Sequence, residues 1–461
     1  MKSLQFSLLA LFVAALMWLA SPVAMAAPDA GTTPTGSPSP AASPSADAAP
    51  TRRAPPQPMD SVFPINEYFG PTIGVPADST QWPLMKALGL DGDKVAAGLK
   101  VYGWFDPGVS FSTSKHSNYP QTYSIVPNMP ELDQLVLNIE RDPDTVQKDH
   151  VDWGFLFTSL YGIDYRWTSA KGWLSDQLLK HNNLYGYDPV CLYGQVYFPK
   201  VADGLLMTVG RYISPPDIEA QLAPQNIMFT HSVMFDFDSY THTGIMFEVK
   251  AGPQWSVEVG LQAGNDTAPW AAGSHFTGEA YGRWVSKDNN DSVFFGVDAM
   301  NEGQFTGFKD NLQQFNATWT HKFNDKINTM TELYELYSFN ALQGGTVSFG
   351  PVHPFGPFGG GPGKLLPGIS TATGFVNYTN IKIDDKSYIS FRTDAMSDPR
   401  GWRSGFPNQY GSLTFAYVRH FTDTCTVRPE IRWEHAFNTP AYDNGTKRSQ
   451  ATFGFDVIQR F

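Results

Sequence analysis

The chain has 461 residues, of which 16% are charged and 14% aromatic; its formal net charge is −12 and its mean hydropathy −0.27. The acidic balance argues against a nucleic-acid binder, which needs a basic footprint. The low hydropathy excludes a bundle of membrane helices, each about 20 apolar residues long. It does not exclude a membrane barrel, whose strands need only alternate apolar positions over about 9–11 residues.

At the start, Lys2 precedes the apolar run "LLALFVAALMWLA" (Leu8 to Ala20), and "AMA" (Ala24 to Ala26) offers a small-residue cleavage motif. Residues 1–26 therefore read as a secretory signal peptide. Residues 27–58 are dominated by Pro, Ala, Ser and Thr and read as a disordered, extended linker. Residues 59–97 form a short, partly helical segment, with one or two helical turns expected near 82–98.

From residue 98 to 461 two-residue alternation recurs. It predicts strands near 98–112, 131–141, 151–165, 191–199, 203–212, 241–251, 254–263, 276–287, 291–300, 312–322, 326–338, 372–383, 386–396, 409–421, 424–436 and 450–461. The connections alternate in length. Short ones such as 200–203, 252–253, 287–290, 323–326, 384–386 and 422–424 interleave with long ones near 114–130, 166–190, 213–240, 264–275, 339–371, 397–408 and 437–449. Short turns on one rim and long loops on the other predict an all-β transmembrane antiparallel barrel of about 16 strands (about 14–18).

The strand faces agree with that architecture. In "CTVRPEIRWEHAF", Arg428, Glu430, Arg432 and Glu434 share one face, while Val427, Ile431 and Trp433 share the other. Arg392 and Asp394 oppose Ile389, Phe391 and Ala395; Glu258 opposes Trp255, Val257, Val259 and Leu261; Glu279 and Arg283 oppose Gly278, Ala280, Gly282 and Trp284. So many ionisable groups on one face call for lumen water, because unpaired charge in a dry core is costly. Residues 327–337 and 374–383 do not sort this way. The final stretch alternates down to Phe461, which places Phe453, Phe455, Val457 and Phe461 toward lipid on a strand that closes the barrel.

Other motifs carry little chemistry. "GPFGGGPGKLL" (356–366) fails the phosphate-loop pattern, since Phe358 takes the first glycine position and Leu365 follows Lys364. His231, His242, Asp236 and Asp238 lack a metal-site spacing, and no oriented nucleophile stands out near "TSKHSN" (113–118). No catalytic, cofactor or metal site is predicted. Cys191 and Cys425 are expected near opposite rims, too far apart for a disulfide.

The stretches "VPNMPELDQLVLNIERDPDTVQKDHVDWGFLFTSLYGIDYRWTSAKGW", "LLKHNNLYGYDPVCLYGQVYFPKVADGLLMTVGRYISPPDIEAQLAPQN" and "YTHTGIMFEVKAGPQWSVEVGLQAGNDTAPW" resemble the OmpL-like β-barrel porin family, over roughly residues 82–461. The resemblance implies an outer-membrane barrel with a porin role, and makes Phe461 look like the signal read by barrel-assembly machinery. The expected partners are outer-membrane lipid, that machinery and small hydrophilic solutes, with a homotrimer as one admissible assembly. The leading expectation is a passive diffusion channel without cofactor, lined by Arg428, Glu430, Arg432, Glu434, Arg392, Asp394, Glu279, Arg283 and Glu258. Loop 213–240, with Asp217, Glu219, Asp236 and Asp238, is the expected constriction, and loop 339–371 the alternative. A largely closed barrel serving as anchor or adhesin is the second reading.

Overall fold

A computed structural model describes residues 73–77, 80–90, 98–174, 184–214, 218–272, 274–301, 312–344 and 364–461. The signal peptide, the linker, Asp217 and the middle of loop 339–371 lie outside these residues. Among the described residues the chain forms β1 (Leu99–Ser112), β2 (Pro130–Arg141), β3 (Asp152–Gly162), β4 (Gly186–Phe198), β5 (Leu205–Ile213), β6 (Thr241–Lys250), β7 (Trp255–Asn265) and β8 (Thr277–Val285). It continues with β9 (Asp291–Met300), β10 (Gln313–Lys322), β11 (Ile327–Phe339), β12 (Ile369–Asp384), β13 (Ser387–Asp398), β14 (Asn408–Thr422), β15 (Cys425–Val427 with Glu430–Ala436) and β16 (Ser449–Arg460).

The two parts of β15 count as one barrel strand because both pair with β14 and with β16. The break falls at Arg428 and Pro429, where proline has no N–H to give the ladder. Backbone bonds from Tyr417 to the Pro429 carbonyl (3.0 Å) and from Arg428 to that of Asp456 (3.3 Å) carry the sheet across it. Every strand is antiparallel to its neighbours in sequence, and β1 pairs with β16, so the sheet closes into a 16-stranded barrel. No helix among the described residues is long and apolar enough to cross a membrane.

Closure explains the end of the chain. Phe461 exchanges backbone bonds with Gly103 (2.9 and 3.1 Å), and its ring occupies the space a side chain at Gly103 would need. Eight residues further along β1, Phe111 faces Phe453 with the rings stacked 6.4 Å apart.

The barrel is inverted relative to a soluble protein. Phe105, Trp153, Leu192, Val209, Trp255, Val259, Phe295, Phe391, Phe415, Ile431, Trp433 and Phe453 are exposed on the outside, while the arginines and carboxylates of the same strands are buried inside. One wall departs from this rule. On β11 and β12 the inner face carries Met330, Tyr334, Leu336, Ala372, Val376 and Tyr378. The outer face mixes Thr329, Thr331, Asn377 and Thr379 with the exposed Ile369, Ile381 and Ile383, and the Asn377 amide donates to the Thr329 and Thr331 hydroxyls at 2.9 and 2.8 Å.

Three strand boundaries differ from the sequence reading by three residues or more, β12 among them, which begins at Ile369 rather than 372. Strand β3 stops at Gly162, because Tyr165–Thr168 turns into a short helix (α2). Strand β4 begins at Gly186 rather than 191, so Cys191 lies buried within the strand instead of opening it at the rim. Cys191 and Cys425 are both free thiols. Helix α1 (Pro83–Ala87) supplies the expected helical turn, with Trp82 stacked on Tyr102 at 5.8 Å and the Arg460 guanidinium 4.9 Å from the Trp82 ring.

Candidate functional site

The connection between β5 and β6 leaves the wall and returns to its starting point: the Ser214 N–H donates to the Tyr240 carbonyl at 3.0 Å. Between these ends the described residues 218–239 reach the opposite wall, where several of their backbone and hydroxyl groups find partners on the barrel's inner face. Buried backbone groups outside a sheet must be satisfied in this way or by water.

Arg428 is 2% exposed. Its Nε donates to both Asp456 carboxylate oxygens (3.0 and 3.1 Å), and its Nη1 donates to the carbonyls of Ala223 and Asn226 in the loop (2.8 and 2.7 Å). Thr230 is the hub of the next contact. Its N–H donates to Glu430 Oε2 (3.1 Å) and its hydroxyl to Glu430 Oε1, while its carbonyl accepts from Arg392 Nη1 and its Oγ1 from Arg392 Nη2 (3.2 Å) and Arg432 Nη1 (3.3 Å). Arg432 also donates to the His231 carbonyl and pairs with Glu434 Oε1 at 2.7 Å. Asp394 accepts from the Val233 N–H at 2.8 Å. The loop carboxylate Glu219 accepts from the Ser232 N–H (2.7 Å) and from the Tyr378 hydroxyl, with Arg392 3.6 Å away.

Apolar contacts complete the seat. Ile218, Ile227, Met228 and Met234 pack with Met330, Leu336, Ala372, Val376 and Tyr378 of β11 and β12. Two inward glycines make room for one ring: a Cβ at Gly108 or Gly454 would stand 2.9 or 3.0 Å from the Phe229 ring. A Cβ at Gly374 would stand 2.3 Å from Met234 Cγ. Gly454 and Gly374 therefore leave room for the loop, while at Gly108 Asp133 Oδ2 stands nearer still, at 2.1 Å.

The remaining predicted site residues fall elsewhere. Asp236 accepts from the N–H and the hydroxyl of Thr122 in the connection between β1 and β2, and Asp238 accepts from the Ser239 N–H at 2.6 Å. His231 stacks against Tyr123 and Phe235, with ring centroids 4.0 and 4.6 Å away, and burial pushes its pKa down to about 3. Glu258, Glu279 and Arg283 face inward on β7 and β8, away from the arginine ladder, and are 2–4% exposed. His231, His242, Asp236 and Asp238 are not brought together.

One expectation is corrected here. The ladder charges of β13 and β15 do not stand in lumen water, since Arg392, Asp394, Arg428, Glu430, Arg432 and Glu434 are all 4% exposed or less. The loop's backbone and hydroxyl groups take the place of water, and burial becomes tolerable because each charge has a partner. Sequence reasoning also missed Thr230, Phe229 and Met234, whose partners lie far along the chain. The only signal was that residues 228–238, "MFTHSVMFDFD", are too apolar for an open surface loop.

The described strands and the inward loop form a recognisable architecture. An anion-selective porin from Comamonas acidovorans superimposes with a TM-score of 0.50 at 8% identity, over 79% of this chain and 99% of that one, which supports the shared barrel fold alone. Weaker likenesses, from which nothing is argued, are Salmonella typhi OmpF in complex with daunomycin (TM-score 0.48, 8% identity, 79% of this chain and 99% of that one) and Pseudomonas putida OprB at high pH (0.47, 11%, 84% and 99%). No curated protein matches the chain. Residues 98–461 match the family described as "Putative beta-barrel porin-2, OmpL-like". The chain thus belongs to this family of bacterial outer-membrane β-barrel porins.

Proposed function

We propose that the barrel is a passive diffusion channel for small hydrophilic solutes, narrowed by the loop seated between β5 and β6. The observation that supports it is the closure of 16 antiparallel strands into one barrel, a size that leaves room for an aqueous channel where eight strands are filled by side chains, with the β5–β6 connection seated against the inner faces of β13 and β15. Solutes would move down their gradients, with no chemistry and no cofactor. The long connections would face the exterior, as in barrels of this kind.

Assembly as a homotrimer is part of the proposal, through the outer face of β11 and β12. The row Thr331, Asn377 and Thr393 runs across adjacent strands in register, on a face that would otherwise meet hydrocarbon, where polar side chains are disfavoured. The closed anchor or adhesin has its own support, the seal over the ladder charges, and conductance separates the two. Planar-bilayer recordings of the refolded protein should show discrete conductance steps. A correctly folded barrel without conductance would favour the closed reading.

A further inference from the structure

We propose that His242, Glu279 and Asp298 form a site for one divalent transition-metal cation, such as Zn2+ or Mn2+, in the wall opposite the arginine ladder. The three residues come from β6, β8 and β9, and one ligating atom of each lies within 4.8 Å of the others. All three are 4% exposed or less. An imidazole nitrogen with two carboxylate oxygens is a donor set suited to first-row transition metals.

Two further strands converge on the same point. From β7, the Gln262 amide reaches both carboxylates, with Nε2 3.0 Å from Asp298 Oδ1 and 3.4 Å from Glu279 Oε2. Gln262 is fully buried, and its Oε1 has no partner among the described residues. Turning the amide over, a change X-ray data at ordinary resolution would not distinguish, would aim that oxygen between the carboxylates. There it would be repelled without a cation and bound with one. From β5, the Tyr212 hydroxyl donates to Glu279 Oε1 at 3.0 Å. Gly260 on β7 leaves the space that Glu279 fills, since a Cβ there would stand 2.0 Å from Glu279 Oε1.

The charge balance points the same way. Asp456, Asp394 and Glu434 each have an arginine beside them. Among the described residues no arginine or lysine contacts Glu279 or Asp298. Their partners are His242 Nε2, 2.8 Å from Asp298 Oδ2, the Ala299 N–H, Tyr212 and Gln262. A cation at the centre would neutralise the pair and displace any proton held between His242 Nε2 and Asp298.

The test uses the full barrel refolded in detergent with ZnCl2 and exchanged into metal-free buffer, with bound zinc counted by mass spectrometry and affinity measured calorimetrically after EDTA stripping. One equivalent should remain per chain. Glu279→Gln and His242→Gln should each weaken binding by at least about tenfold, whereas His321→Gln, at a half-exposed rim pair, should leave it unchanged. Loss of zinc from the wild-type barrel on exchange, or equal retention in both variants, would overturn the proposal. Should the variants not fold, Co2+ loaded into the wild type decides: ligand-field absorption surviving exchange supports the site, and its absence overturns it.

Discussion

The wall of β13 and β15 and the wall of β11 and β12 hold the same loop by opposite chemistry. The first is charged inside and apolar outside, and it grips the loop's backbone and hydroxyls through Arg392, Arg428, Glu430 and Arg432. The second sets Met330, Leu336 and Val376 inward beside the buried Glu332, with Thr331 and Asn377 among the apolar residues outside, and it buries the loop's Met228, Met234 and Ile227. A strand in a membrane barrel is usually assumed to turn its apolar face to lipid. Here the assumption holds only where the inner face meets water or charge-matching groups. Where the inner face meets a packed loop, apolar side chains turn inward as well, and on the outside hydroxyls and an amide interrupt a face that still exposes Ile369, Ile381 and Ile383.

Removing one chemistry at a time tests this contrast. The largest effect is expected from Arg428→Ala, which leaves Asp456 and two loop carbonyls without their partner. Breaking a buried ion pair costs about 3–5 kcal/mol, to be read as a lower midpoint in thermal or urea unfolding of the detergent-solubilised barrel. On the apolar wall, Met234→Ala should cost on the order of 3 kcal/mol by leaving a cavity beside Gly374, measured the same way. Its effect should add to that of Thr230→Val only partly, because both act on one docked loop. Thr230→Val removes the hydroxyl that serves Glu430, Arg392 and Arg432, at a cost of about 1–3 kcal/mol, and should raise conductance noise as the loop loosens. The smallest effect on folding belongs to Asn377→Leu, within about 1 kcal/mol. That variant should instead shift the particle to monomer in size-exclusion chromatography with light scattering. An unchanged assembly would remove the outer face of β11 and β12 from the account.

Much of the barrel was legible because alternation is a local signal. All 16 strands and the parity of β7, β8, β13, β15 and β16 follow from residues that are neighbours in sequence, and the inward side of Arg428, Glu430, Arg432 and Glu434 follows with them. Strands β11 and β12 could not be sorted, because Met330 and Val376 point at a loop about a hundred residues earlier in the chain. For the same reason the ladder charges were assigned to water: nothing near Arg428 announces that Ala223 and Asn226 will meet it. The cluster of His242, Glu279 and Asp298 was invisible for a related reason. Its members sit on three strands, and their spacing reflects turn lengths rather than metal-ligand geometry.

The central claim is that the loop between β5 and β6 sits in the lumen and sets the width of the passage. Because Ser214 and Tyr240 are hydrogen-bonded to each other, residues 216–238 can be replaced by a short Gly-Ser turn without straining β5 or β6. Single-channel conductance of this variant, checked for folding by heat-modifiable migration, should exceed the wild-type value several-fold. A folded variant that conducts no better than the wild-type barrel would contradict the account.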